Sequence, residues 1–222
     1  MLETLFIPTN GEPISNTPLF KFFNNTDMQI KDNIQVTQNN ALSFDTVYAC
    51  INVLSDDVAK LPFKTYKKGK DGAIEQIKNN DVHKMIRVRP NERMTPFGFI
   101  KLMMTDVLIH GNAYALIVRE KSGEIREVLP MTSTITMPYM HKGKLYYMTN
   151  IDGKNVYFHA DEVIHIKGMS TDGLTGLSPI QSVRLQLESN AEATKYNRDL
   201  IRKEAVPRGV LEVATTLNPD AK

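Results

Sequence analysis

Hydrophobic and polar positions follow two rhythms along this chain. In "NALSFDTVYACINVLSDDVAKLPFKTYKK", Val47, Ile51, Leu54, Val58 and Leu61 recur at four- and three-residue spacing, the stripe of a helix with one apolar face. Ser43 offers a hydroxyl to the free N–H groups of the first turn, and Pro62 stops the helix. This phase places Leu54 in the core and turns Asp56 towards solvent. "FKTYKK" then alternates like a strand and "GKDG" turns it back towards "AIEQI". A short helix is expected around Val82 to Val88. Thr95 as cap and Pro96 at the first helical position open a second long helix, "FGFIKLMMTDVLIHG", which Gly111 ends.

After Gly111 the period drops to two. "NAYALIVRE", "IREVLPM", "TITMPYM", "LYYMTN", "VYFH" and "EVIHIKG" are short strands separated by turns such as "KSGE", "HKGK" and "DGKN", which predicts an antiparallel meander. Past "STDGLTGL", Ser178 and Pro179 begin a long helix with a weak stripe through Ile180, Val183, Leu187, Ala191 and Thr194. A strand "RGVLEV" follows. The fold class expected is α+β, an antiparallel β meander packed with several helices, one of them long.

The two ends differ from this middle. Residues 1–41, rich in Asn, Thr and Pro, are expected to form a flexible N-terminal arm. Its apolar run "PLFKFF" would be either solvated with the arm or docked on another subunit through Leu19, Phe20, Phe22 and Phe23. Residues 42–206 are the expected body, and 207–222 a strand and the start of a further element. Asn218, Pro219 and Asp220 make a helix start at which the chain stops, the pattern expected of the N-terminal part of a longer protein.

Composition narrows the function classes. Lys+Arg 27 against Asp+Glu 25 leaves a formal net charge of +2, with no basic run of the kind that marks strong nucleic-acid binding. The single cysteine, Cys50, excludes an internal disulfide and a cysteine zinc cluster, and suits a reducing cytoplasm. No basic partner stands near it in sequence, so a buried structural thiol is expected rather than a nucleophile. No apolar run approaches the ~18–20 residues of a membrane-spanning helix.

One segment invites a metal. "HADEVIH" holds His159, Asp161, Glu162 and His165 within seven residues, the donor types of a metal-assisted hydrolase. On one strand, however, the histidines would stand ~20 Å apart, unless a turn folds the chain between them. Asp161 and Glu162 are expected in a turn between two strands. "STDGLTGLSPI" lacks the G-K-[ST] ending of a phosphate loop, and G-x-G-x-x-G is missing. His110 in "HGNAY" has no partner set of a known catalytic signature. No catalytic, cofactor, metal or DNA-binding residue is assigned. A DNA-binding module is the other alternative, with a salt-dependent affinity as its mark.

The order of segments carries a resemblance. "YACINVLSDDVAKLPFKTYKK", "RPNERMTPFGFIKLMMTDVLIHGNAYALIVRE", "GEIREVLPM", "DEVIHIKG", "DGLTGLSPI" and "EAVPRGVLEV", over roughly residues 42 to 222, resemble phage portal proteins of long-tailed phages with Hong Kong-type capsids. The resemblance implies a wing-like α/β body and no enzymatic activity or cofactor. It also implies a structural subunit of a ring of about twelve copies at one capsid vertex, closed by heterologous contacts. Implied partners are the terminase large subunit, the major capsid protein or scaffold, head–tail connector proteins, and double-stranded DNA packaged and later ejected through the channel. The implied location is the virion, after assembly in the bacterial cytoplasm. "DEVIHIKG…DGLTGLSPI" would then be a strand–loop–helix joint. Stem, tunnel loop and clip would lie beyond Lys222.

Overall fold

The computed structural model describes residues 12–13, 35–78 and 80–202. The "PLFKFF" run, the "RGVLEV" strand and the helix start at Asn218 lie outside the described residues. Among the described residues, contacts place Glu12–Pro13 and Val36–Arg184 in one compact unit, and Gln35 with Leu185–Arg202 in a second.

Strand β1 (Glu12–Pro13) pairs with a strand of the later meander. A 3-10 turn (Ala41–Ser43) leads into helix α1 (Asp45–Ala59), and hairpin strands β2 (Thr65–Lys68) and β3 (Ile74–Ile77) follow. Helix α2 (Asp81–His83) runs into a π turn (Lys84–Val88), and helix α3 (Pro96–His110) precedes β4 (Asn112–Arg119) and β5 (Ile125–Met131). Then come β6 (Met137–His141), β7 (Lys144–Ile151), β8 (Lys154–His159), a 3-10 turn (Ala160–Glu162) and β9 (Val163–Lys167). Helix α4 (Pro179–Ser182) and helix α5 (Arg184–Arg202) complete the described chain. The long helix foreseen is thus broken at Val183, which leaves helical geometry.

The α+β class and its antiparallel strands are present as expected, but the strands divide between two larger sheets. One has the order β1-β6-β7-β8 and the other β5-β4-β9, with β2-β3 apart. The meander breaks between β5 and β6, which do not pair, and β9 returns to β4, Leu116 opposite Val163 and Asn112 opposite Lys167, instead of extending it. Alternation on β4 then serves two layers. Ala113 and Ala115 face α3, packed with Met85, Met103, Val107 and Val128. Tyr114 faces the second sheet, packed with Tyr147 and Val163. Two alanines on the helix side let α3 approach the sheet closely.

Thr95 caps α3 by accepting from the Gly98 N–H at 3.1 Å, as the sequence indicates. The α1 cap is different. Phe44 holds the cap position without a side-chain bond, while the Ser43 hydroxyl donates to the Asn40 carbonyl at 2.7 Å. Ahead of α1, Val36 and Ala41 are buried.

The phase of α1 departs from the expected stripe. Val47, Ile51, Ser55 and Ala59 are the buried positions, a strict four-residue spacing in which small side chains admit the neighbouring α3. Leu54 and Leu61 are exposed. Cys50 is exposed too, so the expected buried thiol is corrected by the same rotation of the face. Asp56 is half-buried rather than solvated, its Oδ1 ion-paired with Lys101 of α3 at 2.6 Å, while Lys101 also donates to the Asn52 Oδ1 at 2.8 Å. Ile51→Ala should therefore cost about 2 kcal/mol in chemical unfolding, as a buried large-to-small change. Leu54→Ala, at 48% exposure, should cost less than about 1 kcal/mol. Equal losses would contradict the assigned face.

Candidate functional site

The chain segments "HGN" and "HIKG…DGLTGLSP" meet where α3, β4, β9 and α4 come together. Gly111 ends α3 in the left-handed region (φ 79°), its N–H donating to the Val107 carbonyl at 2.9 Å; glycine enters that region without a Cβ penalty. Its carbonyl accepts from the Gly168 N–H at 2.8 Å just past β9. The Ser178 hydroxyl donates to the Ile109 carbonyl at 2.5 Å and accepts from the Gln181 N–H at 3.3 Å. One buried serine thus caps α4 and ties it to the end of α3.

Asn112 is the centre of this joint. Its Oδ1 accepts from the Gly176 N–H at 2.7 Å and its Nδ2 donates to the Gly176 carbonyl at 2.8 Å. The amide therefore pairs with Gly176 as a neighbouring strand would. The same Oδ1 lies 3.0 Å from His165 Nε2. Because the Gly176 N–H fixes this atom as an acceptor, Nε2 carries the proton. His165 Nδ1 then accepts from the Tyr147 hydroxyl at 3.2 Å. Tyr114 stacks on the imidazole at 4.4 Å between centroids and Tyr147 meets it edge-on at 5.5 Å.

Burial, with the positive charge of Lys167 adding to it and Asp172 opposing, lowers the His165 pKa from 6.5 to about 4. The ring is neutral at physiological pH, as its two hydrogen bonds require. Between those two values the unfolded chain binds the proton more readily. Stability is therefore fully present above about pH 6.5 and is lost as pH falls towards 4. His165→Gln should flatten that part of the unfolding free energy measured against pH. An unchanged slope in the variant would contradict the assignment.

The loop between β9 and α4 is held by one carboxylate. Asp172 accepts from the backbone of Leu174 at 2.7 Å and Thr175 at 2.8 Å, and from the hydroxyls of Thr175 at 2.8 Å and Ser170 at 3.0 Å. Burial works to raise its pKa, but these donors hold it at about 2. Lys167 closes the loop by donating to the Gly173 carbonyl. No P-loop geometry is involved; the loop's donors point at its own aspartate.

The four residues of the metal alternative are engaged separately. The His159 N–H donates to Glu162 Oε2 at 2.8 Å across the 3-10 turn, and its ring lies 4.8 Å from Tyr146 on the second sheet. Asp161 is exposed in the turn, where the sequence placed it. His165 is on β9 with both ring nitrogens used. Among the described residues no group of three or more His, Cys, Asp or Glu side chains could hold a metal ion. His110 Nδ1 lies 3.1 Å from Gln38 Oε1 at the end of α3. Burial lowers its pKa, against the pull of Asp106. Asn112 was not foreseeable as a site residue, since Gly176 lies 64 positions away; a polar side chain directly after a helix-ending glycine is its sole local mark.

The sequence profile of the family described as "Phage portal protein" matches residues 45–222. The chain is 29% identical over 146 residues to the "Portal protein" of Enterobacteria phage HK97, covering 65% of this chain and 34% of that protein. It is 29% identical over 196 residues to the "Probable portal protein" of Streptomyces phage phiC31, covering 83% and 42%. The chain thus spans less than half the length of these relatives. Among solved structures, the fold is similar to a chain of the "Neck of native GTA particle computed with C12 symmetry", with TM-score 0.60, 20% identity, and 82% of this chain and 50% of that one covered. An HK97 family phage portal protein from Corynebacterium diphtheriae gives TM-score 0.51 at 20% identity, covering 86% and 59%. With the profile match running from the start of α1 through the joint and on to the last residue, the chain belongs to the phage portal protein family.

Proposed function

We propose that this chain forms part of a structural subunit of a portal ring, the channel at one capsid vertex through which phage DNA is packaged and later ejected. The family match over residues 45–222 carries this reading. The ring would hold about twelve copies, closed by heterologous contacts between neighbours. Residues of the Val36–Arg184 unit would serve as the wing-like body, with the sequence before it as an arm. The terminase large subunit, capsid protein or scaffold, and the head–tail connectors would be its partners, and the virion vertex its final place after assembly in the host cytoplasm.

A structural role without catalysis fits the joint. Its polar side chains spend their hydrogen-bonding capacity on each other and on backbone, as Asn112, His165, Asp172 and Ser178 all do. A net charge of +2 also fits a body set back from the DNA path. A nonsense codon early in the gene, in the phage or prophage that encodes it, tests the proposal. Cells without the protein should yield heads empty of DNA. DNA-filled, tailed particles from such cells would overturn it.

A further inference from the structure

The helix side of the β5-β4-β9 sheet is not fully covered. An apolar groove of about 490 Å³ runs between the sheet and the helices, with Phe63, Val82, Phe99, Ile117, Ile164 and Ile166 among its walls. Its sixteen lining residues are all apolar. The rim is open, with Phe63 at 38%, Val82 at 43%, Ile164 at 38% and Ile166 at 44% exposure. Ile164 and Ile166 point to this face because they pair with Ala115 and Ala113 of β4, whose side chains look towards α3. A contiguous apolar opening of this kind marks a binding surface.

We infer that this groove receives the apolar run Leu19–Phe23 from the N-terminal arm of a neighbouring copy. Leu19, Phe20, Phe22 and Phe23 supply the aliphatic and aromatic bulk that such a concavity takes, and the one charge among them, Lys21, can snorkel to the rim. The reach of the chain selects the neighbour over the same copy. Glu12–Pro13 pairs with Met140 and Tyr139 at the edge of the β6-β7-β8 sheet. Leu19 lies six residues beyond Pro13, a span of at most ~20 Å. The chain's own groove faces away from that sheet. The β5-β4-β9 sheet stands between them, packed on the second sheet through Tyr114 and on α3 through Ala113 and Ala115. Sheet-to-sheet spacing of ~10 Å and the further step from the sheet to the groove beneath the helices take up most of that span along a straight line, and the path around the blocking sheet is longer. A second copy whose groove faces the β6 edge meets no such barrier. Each copy then offers a segment on one side and a groove on another, the heterologous contact that closes a ring. The inference rests on the ring reading above.

Cross-linking between differently tagged copies tests it. Cys50, exposed and free, is first replaced by Ser. One tagged population carries Phe20→Cys and the other Ile164→Cys, and the two are co-assembled and oxidised. The expected product is a disulfide between differently tagged chains. A third preparation carries both substitutions on one chain; a disulfide that forms there within the chain and never between the singly substituted copies overturns the inference, as does none at all in an assembled ring, and either result leaves the ring reading intact. Where the cysteine variants do not co-assemble, a peptide of residues 16–25 is added to the Cys50→Ser, Ile164→Cys protein. It should slow maleimide labelling of that cysteine tenfold or more, whereas the same peptide with its three Phe changed to Ser should not. Equal labelling rates would overturn the inference, and protection in a protein that forms no ring would count against the ring reading alone.

Discussion

Gly176→Ala should destabilise the Val36–Arg184 unit by about 3 kcal/mol or more, well beyond the loss from a methyl group added at an open turn glycine. A Cβ at Gly176 would stand 2.0 Å from the Gly111 carbonyl oxygen and 2.8 Å from the Gly168 nitrogen. Both are backbone atoms, so no flexible side chain can give way, and the three segments must part. Overpacking of a side chain typically costs ~1–3 kcal/mol; here the parting also stretches the Asn112 pairing and the bond from Gly168 N–H to Gly111. Gly143→Ala is the control. Gly143 has a positive φ of 75° but nothing within 4 Å of an added Cβ, so it should show the conformational penalty alone, about 1 kcal/mol. Urea unfolding of both variants measures the difference. Losses of equal size would mean that the joint is looser than its geometry.

Asn112→Ala should cost about 3 kcal/mol, because it strips partners from three groups at once. The Gly176 N–H and carbonyl and His165 Nε2 all bond to that amide, and a buried polar group left unsatisfied costs ~1–3 kcal/mol. Asn112→Asp separates hydrogen bonding from shape. At neutral pH the carboxylate keeps its acceptor for the Gly176 N–H but opposes an oxygen to the Gly176 carbonyl. A carboxyl that must be protonated to donate there has a raised folded pKa, so the variant should regain stability relative to Asn112→Ala as pH falls. Parallel pH profiles for the two variants would contradict the bidentate pairing.

The contrast between these positions and their neighbours explains what the sequence could reveal. Thr95, Pro96 and Gly111 bound α3 by local chemistry, and each was legible because a cap or a left-handed residue needs no distant partner. The turns before β7 and β8 were legible for the same reason. The buried face of α1 was not, because Ser55 and Ala59 qualify for burial by being small against α3, which a count of large apolar residues does not register. Cys50 was misplaced with it. The separation into two sheets was also hidden, since β9 alternates as well for the meander as for β4. In the "HADEVIH" segment the turn acids were legible. The role of His165 depends on Tyr147 and Asn112, brought in from two other strands, and no spacing within the segment encodes them.

The pairing of β4 with β9 encloses everything between them. Lys142 and Gly143, then Asp152 and Gly153, have positive φ values and close the β6–β7 and β7–β8 hairpins over two residues each, with His141 opposite Lys144 and Ile151 opposite Lys154. These three strands need almost no loop closure to meet. Leu116 and Val163, partners in the other sheet, must find each other across the whole meander, and that closure entropy has to be met before any contact rewards it. The order expected on refolding from denaturant follows: the three-strand unit should gain amide protection first, and β9 should pair with β4 late, locking the joint last. Pulse-labelled hydrogen exchange should find the amides of Tyr146 and Tyr147 protected before that of His165, so the residues that fix the joint are the final ones to commit.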